Sequence, residues 1–219
     1  MKIFLLTADP DEVRWGEANG LIDGVMTTPA LLAAQHADPA ESLATLASTT
    51  RVPICASIGA VNAQDIYLQG REMARVSEDV IVQVPLVEDA VVAIRRLTHD
   101  GVRVAATLVF NAAQALLAAK AGASIVVTAV EPLEVTGAHG VKIVEEIRAV
   151  FDADDTPCDV LAAQPMTAAR FAECALAGAD IVSLGAASLR ALLVHPLTDR
   201  GVDEFLSELA RQGRTRVLT

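Results

Sequence analysis

The chain has 219 residues, of which 53% are hydrophobic and only 3% aromatic, and it carries a formal net charge of -11. That length fits one domain around a single core, and so few Lys and Arg leave no basic stripe for nucleic acid or an anionic membrane surface. Three cysteines, Cys55, Cys158 and Cys174, lie far apart, without metal-ligand spacing or the even pattern of a disulfide framework, as expected in a reducing cytoplasm.

The N-terminus passes from Met1-Lys2 straight into a short apolar strand at residues 3–6, with no signal peptide expected. No apolar run reaches the ~18 residues of a membrane span. A helix follows at 11–19 and a second strand at 21–26. Further strands are predicted at 52–58, 80–85, 102–108, 124–130, 159–163 and 180–184, which makes eight. Between them, series such as Val91, Ile94, Leu97 and Val141, Val144, Ile147, Val150 place apolar residues on one helical face. Ala, Val, Leu and Ile must build the core, a mixture suited to strands covered on both sides by Ala-rich helices. Gly20, Gly101, Gly122 and Gly178 each stand between a helix and a strand, where a left-handed residue is wanted. Eight strand-helix units joined by right-handed crossovers predict a single (β/α)8 barrel over residues 1–219. A doubly wound open sheet is the alternative. The last segment, 201–212, has Val202, Phe205, Leu206 and Leu209 on one stripe and no strand after it. It is expected to form an extra helix, packed on a neighbouring subunit or against the barrel's own bottom.

In such barrels the site lies at the C-terminal ends of the strands. Alternation sends Val80, Val82 and Val84 toward the helices and turns Ile81 and Gln83 inward, so Gln83 is the polar group on the axis of strand four. The same phasing sets Leu6, Thr27 or Thr28, Ser57, Thr107, Ala129 and Gln164 around the mouth, and Ser183 on the last strand joins them as a binding candidate. These side chains carry no charge. Glu131, just beyond strand six, is the nearest carboxylate, read either as an acid/base or as a solvated loop residue. Asn111 opens the helix after strand five, as a helix cap or a substrate contact. His36, His99, His139 and His195 show no ligand spacing, and no Gly-rich phosphate cradle is present, so neither a metal nor another cofactor is expected.

Several segments carry a resemblance: Met1-Lys2-Ile3-Phe4-Leu5, Leu21-Ile22-Asp23-Gly24-Val25, Val82-Gln83-Val84-Pro85, the run from Asn111 to Ala123, and His195-Pro196-Leu197-Thr198-Asp199. In that order and spacing the chain resembles the small transaldolase and fructose-6-phosphate aldolase family, nearly from end to end. The resemblance implies a (β/α)8 barrel with aldolase chemistry through an imine on a strand-four lysine. At that position stands Gln83, and an amide cannot form an imine. Leu6 stands for the family's strand-one aspartate, Thr28 for an asparagine, Ser57 for Glu or Gln, Ala129 for an aromatic and Pro132 for an arginine. Gln164-Pro165 replaces a Ser-containing phosphate-binding turn. The family's oligomers, in which the C-terminal helix packs on a neighbour, imply a homo-oligomer here, possible in ring form.

Lys2, Lys120 and Lys142 are the chain's only lysines, and none is placed to reach the mouth. The sequence therefore supports an enzyme that acts on a neutral small carbonyl metabolite without a Schiff base. Gln83, Glu131 and Thr107 would act in enolisation, a non-covalent aldol or retro-aldol step, or a cyclisation. The alternative is a non-catalytic homologue that binds a metabolite or a protein partner.

Overall fold

The computed structural model describes residues 1–35, 38–135, 137, 139–165 and 167–216, with 212–216 as backbone alone. The elements run β1 (Lys2–Leu6), α1 (Pro10–Ala18), β2 (Gly24–Met26), α2 (Pro29–Gln35), α3 (Pro39–Thr49), β3 (Ile54–Ser57), α4 (Ala63–Ala74), β4 (Val80–Pro85), α5 (Glu88–His99) and β5 (Val104–Thr107). They continue through α6 (Ala112–Ala121), β6 (Ile125–Ala129), α7 (Val130–Val135), α8 (Gly140–Ala153), β7 (Asp159–Ala163), α9 (Ala168–Leu176), β8 (Ile181–Leu184), α10 (Ala186–Ala191) and α11 (Pro196–Arg216). The eight strands pair in parallel, each with its sequence neighbours, and β8 returns to β1 to close the barrel. The expected (β/α)8 barrel is the observed fold, and no described helix is long and apolar enough to cross a membrane.

Strand cores match the expected segments, with some ends trimmed. Residues 21–23 and 52–53 lead into β2 and β3, with Asp23 N donating to Ile3 O and Pro53 O accepting from Val25 N. Gly20, Gly101, Gly122 and Gly178 have φ of 63°, 81°, 108° and 87°, the left-handed geometry that lets each helix end and the chain turn into the next strand.

The chain divides into two compact units, Met1–Ala186 and Ala187–Thr219. The C-terminal helix also begins earlier than residue 201 and runs past 212. Pro196 stands in its first turn, where a missing N–H costs nothing, and His195 Nδ1 accepts from Leu197 N at 3.1 Å. Gly201 is carried inside this helix instead of opening it. The stripe Val202, Phe205, Leu206 and Leu209 is about half exposed along its length.

Register fixes the interior. Traced strand by strand around the barrel, the pairings return to β1 about eight residues lower, the stagger that closes an eight-stranded barrel. With that stagger, inward residues of alternate strands share layers of four. The uppermost full layer is Leu6, Ser57, Thr107 and Ala163. Beneath it lie Met26, Gln83, Val127 and Ser183, then Phe4, Cys55, Ala105 and Leu161, then Gly24, Ile81, Ile125 and Ile181. The apolar members of these layers form one buried cluster. Val82 faces outward as expected: a Cβ added to Gly70 of α4 would lie 3.5 Å from its Cγ1.

All three cysteines are buried and unpaired. Burial pushes the thiols of Cys55 and Cys158 up to about 12 and that of Cys174 up to about 11, from an ordinary value of 9.0. The unfolded chain therefore loses these protons first, and the thiols' contribution to stability falls as pH rises from near 9 toward those values. Urea midpoints should drop between about pH 8 and about pH 10.5, and less steeply in Cys55→Val; an unchanged slope in that variant refutes the assignment. At Gly24 a Cβ would lie 2.4 Å from the Phe4 ring. Gly24→Ala should lose about 1–3 kcal/mol in equilibrium unfolding, the usual range for overpacking a closed core.

Candidate functional site

Gln83 is the most constrained polar side chain of the mouth. Alternation along β4 turns it inward, and it is 1% exposed. Its Nε2 donates to the carbonyl oxygens of Thr27 at 3.0 Å and Cys55 at 2.9 Å, tying β4 to the ends of β2 and β3. Two carbonyl partners require the nitrogen at that end, which leaves Oε1 on the other side. Oε1 is buried and has no hydrogen-bond partner among the described residues. An acceptor left unsatisfied in the interior costs about 1–3 kcal/mol.

Ser183 shares the layer of Gln83. β4 and β8 are four strands apart in an eight-stranded ring, so the two side chains face each other across the axis. Ser183 is fully buried, and its Oγ is also without a partner among the described residues. The barrel's second layer therefore holds two orphaned polar atoms flanked by Met26 and Val127. Above it, Ser57 and Thr107 are half-buried, with Leu6 and Ala163 completing the layer. A further step up stand Ala129, the last residue of β6, and Thr28, two residues past β2, both half-buried.

The structure divides the other expected residues. Thr27 offers its backbone carbonyl to Gln83, but its hydroxyl lies on the helix-facing side of β2, since Met26 holds the inward place, and Thr27 Oγ1 is buried without a partner. Thr28 Oγ1 accepts from Leu31 N at 3.3 Å at the start of α2. Asn111 is committed to helix capping: its side chain accepts from Gln114 N at 2.8 Å at the N-terminus of α6. It is thus the cap that its place before α6 predicts. Glu131 is exposed in the first turn of α7. Together with Gln164 and Arg170 it lines a hollow of about 160 Å³ on the rim, apart from the Gln83 layer.

Arg170 is a residue the sequence reading passed over. It pairs with Glu134 at 3.1 Å and with Glu173, which leaves the hollow's cation already balanced. Glu12 was passed over as well. Its Oε2 accepts from Thr7 Oγ1 at 2.5 Å, which places a half-buried carboxylate at the end of β1. The signal was available in the spacing: Asp9 caps α1, and an acid three residues into that helix points back toward the preceding strand end.

Two non-glycine residues at this rim adopt left-handed backbone, Leu108 at φ 59° directly after β5 and Gln164 at φ 58° directly after β7. Such a conformation costs about 1–3 kcal/mol in a side-chain-bearing residue and clusters at functional sites. Gln164 N donates to Ser183 O at 2.8 Å, which holds that turn against β8. The histidines lie elsewhere: His99 and His139 are exposed, His195 opens α11, and His36 falls outside the described residues. The lysines do too. Lys2 starts β1 at the barrel's bottom, paired with Asp159 at 3.1 Å, while Lys120 ends α6 and Lys142 lies early in α8.

Comparison with known proteins agrees with this architecture. The family model for transaldolase/fructose-6-phosphate aldolase matches residues 3–217. A probable transaldolase of Phenylobacterium zucineum is 36% identical over 215 residues, covering 98% of this chain and 99% of the relative. One from Hyphomonas neptunium is 37% identical over 213 residues, covering 97% and 99%. Among solved structures, orotidine 5'-monophosphate decarboxylase from Sulfolobus solfataricus superposes with a TM-score of 0.62 at 11% identity, covering 87% of this chain and 95% of that one, a likeness of fold alone. The whole-length match in sequence, carried on a closed eight-stranded barrel, places the chain in the transaldolase/fructose-6-phosphate aldolase family.

Proposed function

We propose that the chain uses the barrel mouth of its family to bind and convert a small neutral carbonyl compound without an imine intermediate. The carrying observation is Gln83, an amide anchored in the barrel wall with a free buried acceptor. Relatives bear the name transaldolase, but here β4 supplies no amine, and the three lysines stand at the bottom of β1 and on α6 and α8. On this reading a ligand hydroxyl donates to Gln83 Oε1, and the ligand carbonyl accepts from the hydroxyl of Thr107 or Ser183. Ser57 and Leu6 shape the entrance. Fixed dipoles of this kind stabilise charge that develops on the carbonyl oxygen during enolisation or a non-covalent retro-aldol step. The inward side chains of the two upper layers carry no cation to repay the desolvation of a phosphate dianion, so a neutral substrate fits them best. Any proton transfer would have to be supplied by Glu131, reaching in from the rim hollow. We further propose a cytoplasmic location, a reading that three cysteines without disulfide partners support.

One observation favours a second reading, in which the barrel binds a metabolite or protein partner without turnover. Gln83 spends both amide protons on the barrel wall and keeps no donor for the reacting carbonyl.

Borohydride reduction in the presence of candidate hydroxy-carbonyl compounds should leave the mass of the protein unchanged, while Gln83→Lys, treated alike, should trap an adduct. A stable adduct on the unaltered chain overturns the imine-free reading. Gln83→Leu should lose ligand binding and turnover at least tenfold with its circular dichroism intact. Full activity in that variant sinks the assignment. We further propose a homo-oligomer built through the half-exposed stripe of α11. Deletion after Gly201 should then reduce the mass in solution to a monomer, and an unchanged mass refutes this assembly.

A further inference from the structure

At the N-terminal end of the barrel, opposite the mouth, lies a cavity of about 530 Å³, formed wholly by the unit Met1–Ala186. Its floor is the lowest apolar layer, Ile81, Ile125 and Ile181, together with the Phe4 ring. The four are 1–5% exposed and give the well a continuous hydrocarbon surface. Its volume is that of a small-molecule site.

The rim is charged, and the stagger of the barrel explains why. One step below Phe4, Cys55, Ala105 and Leu161, the inward positions of the odd strands are Lys2, Pro53, Arg103 and Asp159. All four border the cavity. β1 and β5 face each other across the ring, so Lys2 and Arg103 stand on opposite sides of the opening. Asp23, just before β2, adds a second carboxylate. The ring therefore holds two cations and two carboxylates around an apolar well.

These charges are loosely held. Lys2 pairs with Asp159 at 3.1 Å, but their side chains are 57% and 39% exposed, and such pairs rearrange readily. Arg103 donates through Nη2 to the Glu78 carbonyl at 2.9 Å, leaving the rest of its guanidinium fork for a carboxylate. Asp23 accepts from Ile3 N through Oδ2 alone, at 2.8 Å.

We infer that this cavity is a second binding site, specific for an apolar α-amino acid. The side chain enters the well over Ile81, Ile125 and Ile181. The α-carboxylate meets Arg103 and Lys2, and the α-ammonium meets Asp159 and Asp23. Charge balance selects the zwitterion. A carboxylate alone leaves the ring one charge negative on a chain already at -11, and an amine alone leaves one ammonium facing two cations. The site is independent of the reaction proposed for the mouth: its floor lies two layers below Gln83 and Ser183, and it shares no lining residue with their layer.

L-leucine titrated into the full-length protein should give saturable heat in calorimetry and shift the methyl resonances of Ile81, Ile125 and Ile181. Arg103→Ala and Asp23→Asn should each weaken it at least tenfold, as should replacing the probe by N-acetyl-leucine or leucinamide, which each lack one charge. Gln83→Leu should leave leucine affinity unchanged. Absence of saturable binding, equal affinity for N-acetyl-leucine, or binding that survives Arg103→Ala overturns the inference. Both rim variants change exposed side chains, so their fold is expected to stand, and thermal unfolding of each checks it.

Discussion

The stagger of a closed parallel sheet is the constraint on which the rest of this molecule depends. Here eight strands meet around the ring with the register slipping by about eight residues per circuit, the shear of a (β/α)8 barrel. That slip sorts every inward side chain into a layer drawn from alternate strands. It decides that Gln83 faces Ser183 and not a neighbour, and that Lys2 and Arg103 oppose each other at the bottom. Local propensity has no part in these pairings. The helices follow from the same closure, since each strand must return to the ring's start, and buried outer faces such as Val82 and Val84 require an apolar cover.

Period two within a strand is local, so the inward turn of Gln83 and the outward turn of Val82 were legible from residues 80–85 alone. Period 3.6 and the left-handed glycines made the helices and their ends legible in the same way. Pairing across the axis was not, because it rests on register, and register accumulates over all eight strands. Ser183 could be named as a mouth residue but not as the partner facing Gln83. Thr27 and Thr28 could not be separated, because the strand is only three residues long and its phase is set by Met26. The start of α11 was missed for a different reason: Gly201 reads as a boundary, yet a long helix carries one interior glycine at a cost of about 1 kcal/mol. Asn111 was correctly weighed as a cap, since its side chain sits where Asn is most favoured.

Polar atoms within the layers are distributed unevenly. The lower layers are hydrocarbon with one inert thiol, Cys55, which burial keeps protonated to about 12. The layer of Gln83 and Ser183 leaves two polar atoms unmatched, and Leu108 and Gln164 hold strained backbone directly above. These features oppose folding. An orphaned acceptor and two left-handed side-chain residues together cost several kcal/mol against a net stability of about 5–15 kcal/mol.

A barrel selected for folding alone gains by placing Leu or Met at residue 83, where an apolar side chain of similar volume removes the orphan. Gln83 instead keeps one end satisfied by Thr27 and Cys55 and the other end bare, a half-paired amide of fixed orientation. Fixing the amide through its nitrogen has a chemical consequence: it aims the acceptor without spending a ligand's binding energy to orient it. On the proposed reading, the energy withheld from the fold at this layer is recovered when a ligand hydroxyl reaches Oε1. The same logic separates the two ends of the barrel. At the bottom every charge has a partner within the chain and a ligand must exchange one pairing for another, whereas at the mouth it completes a bond the fold leaves unmade.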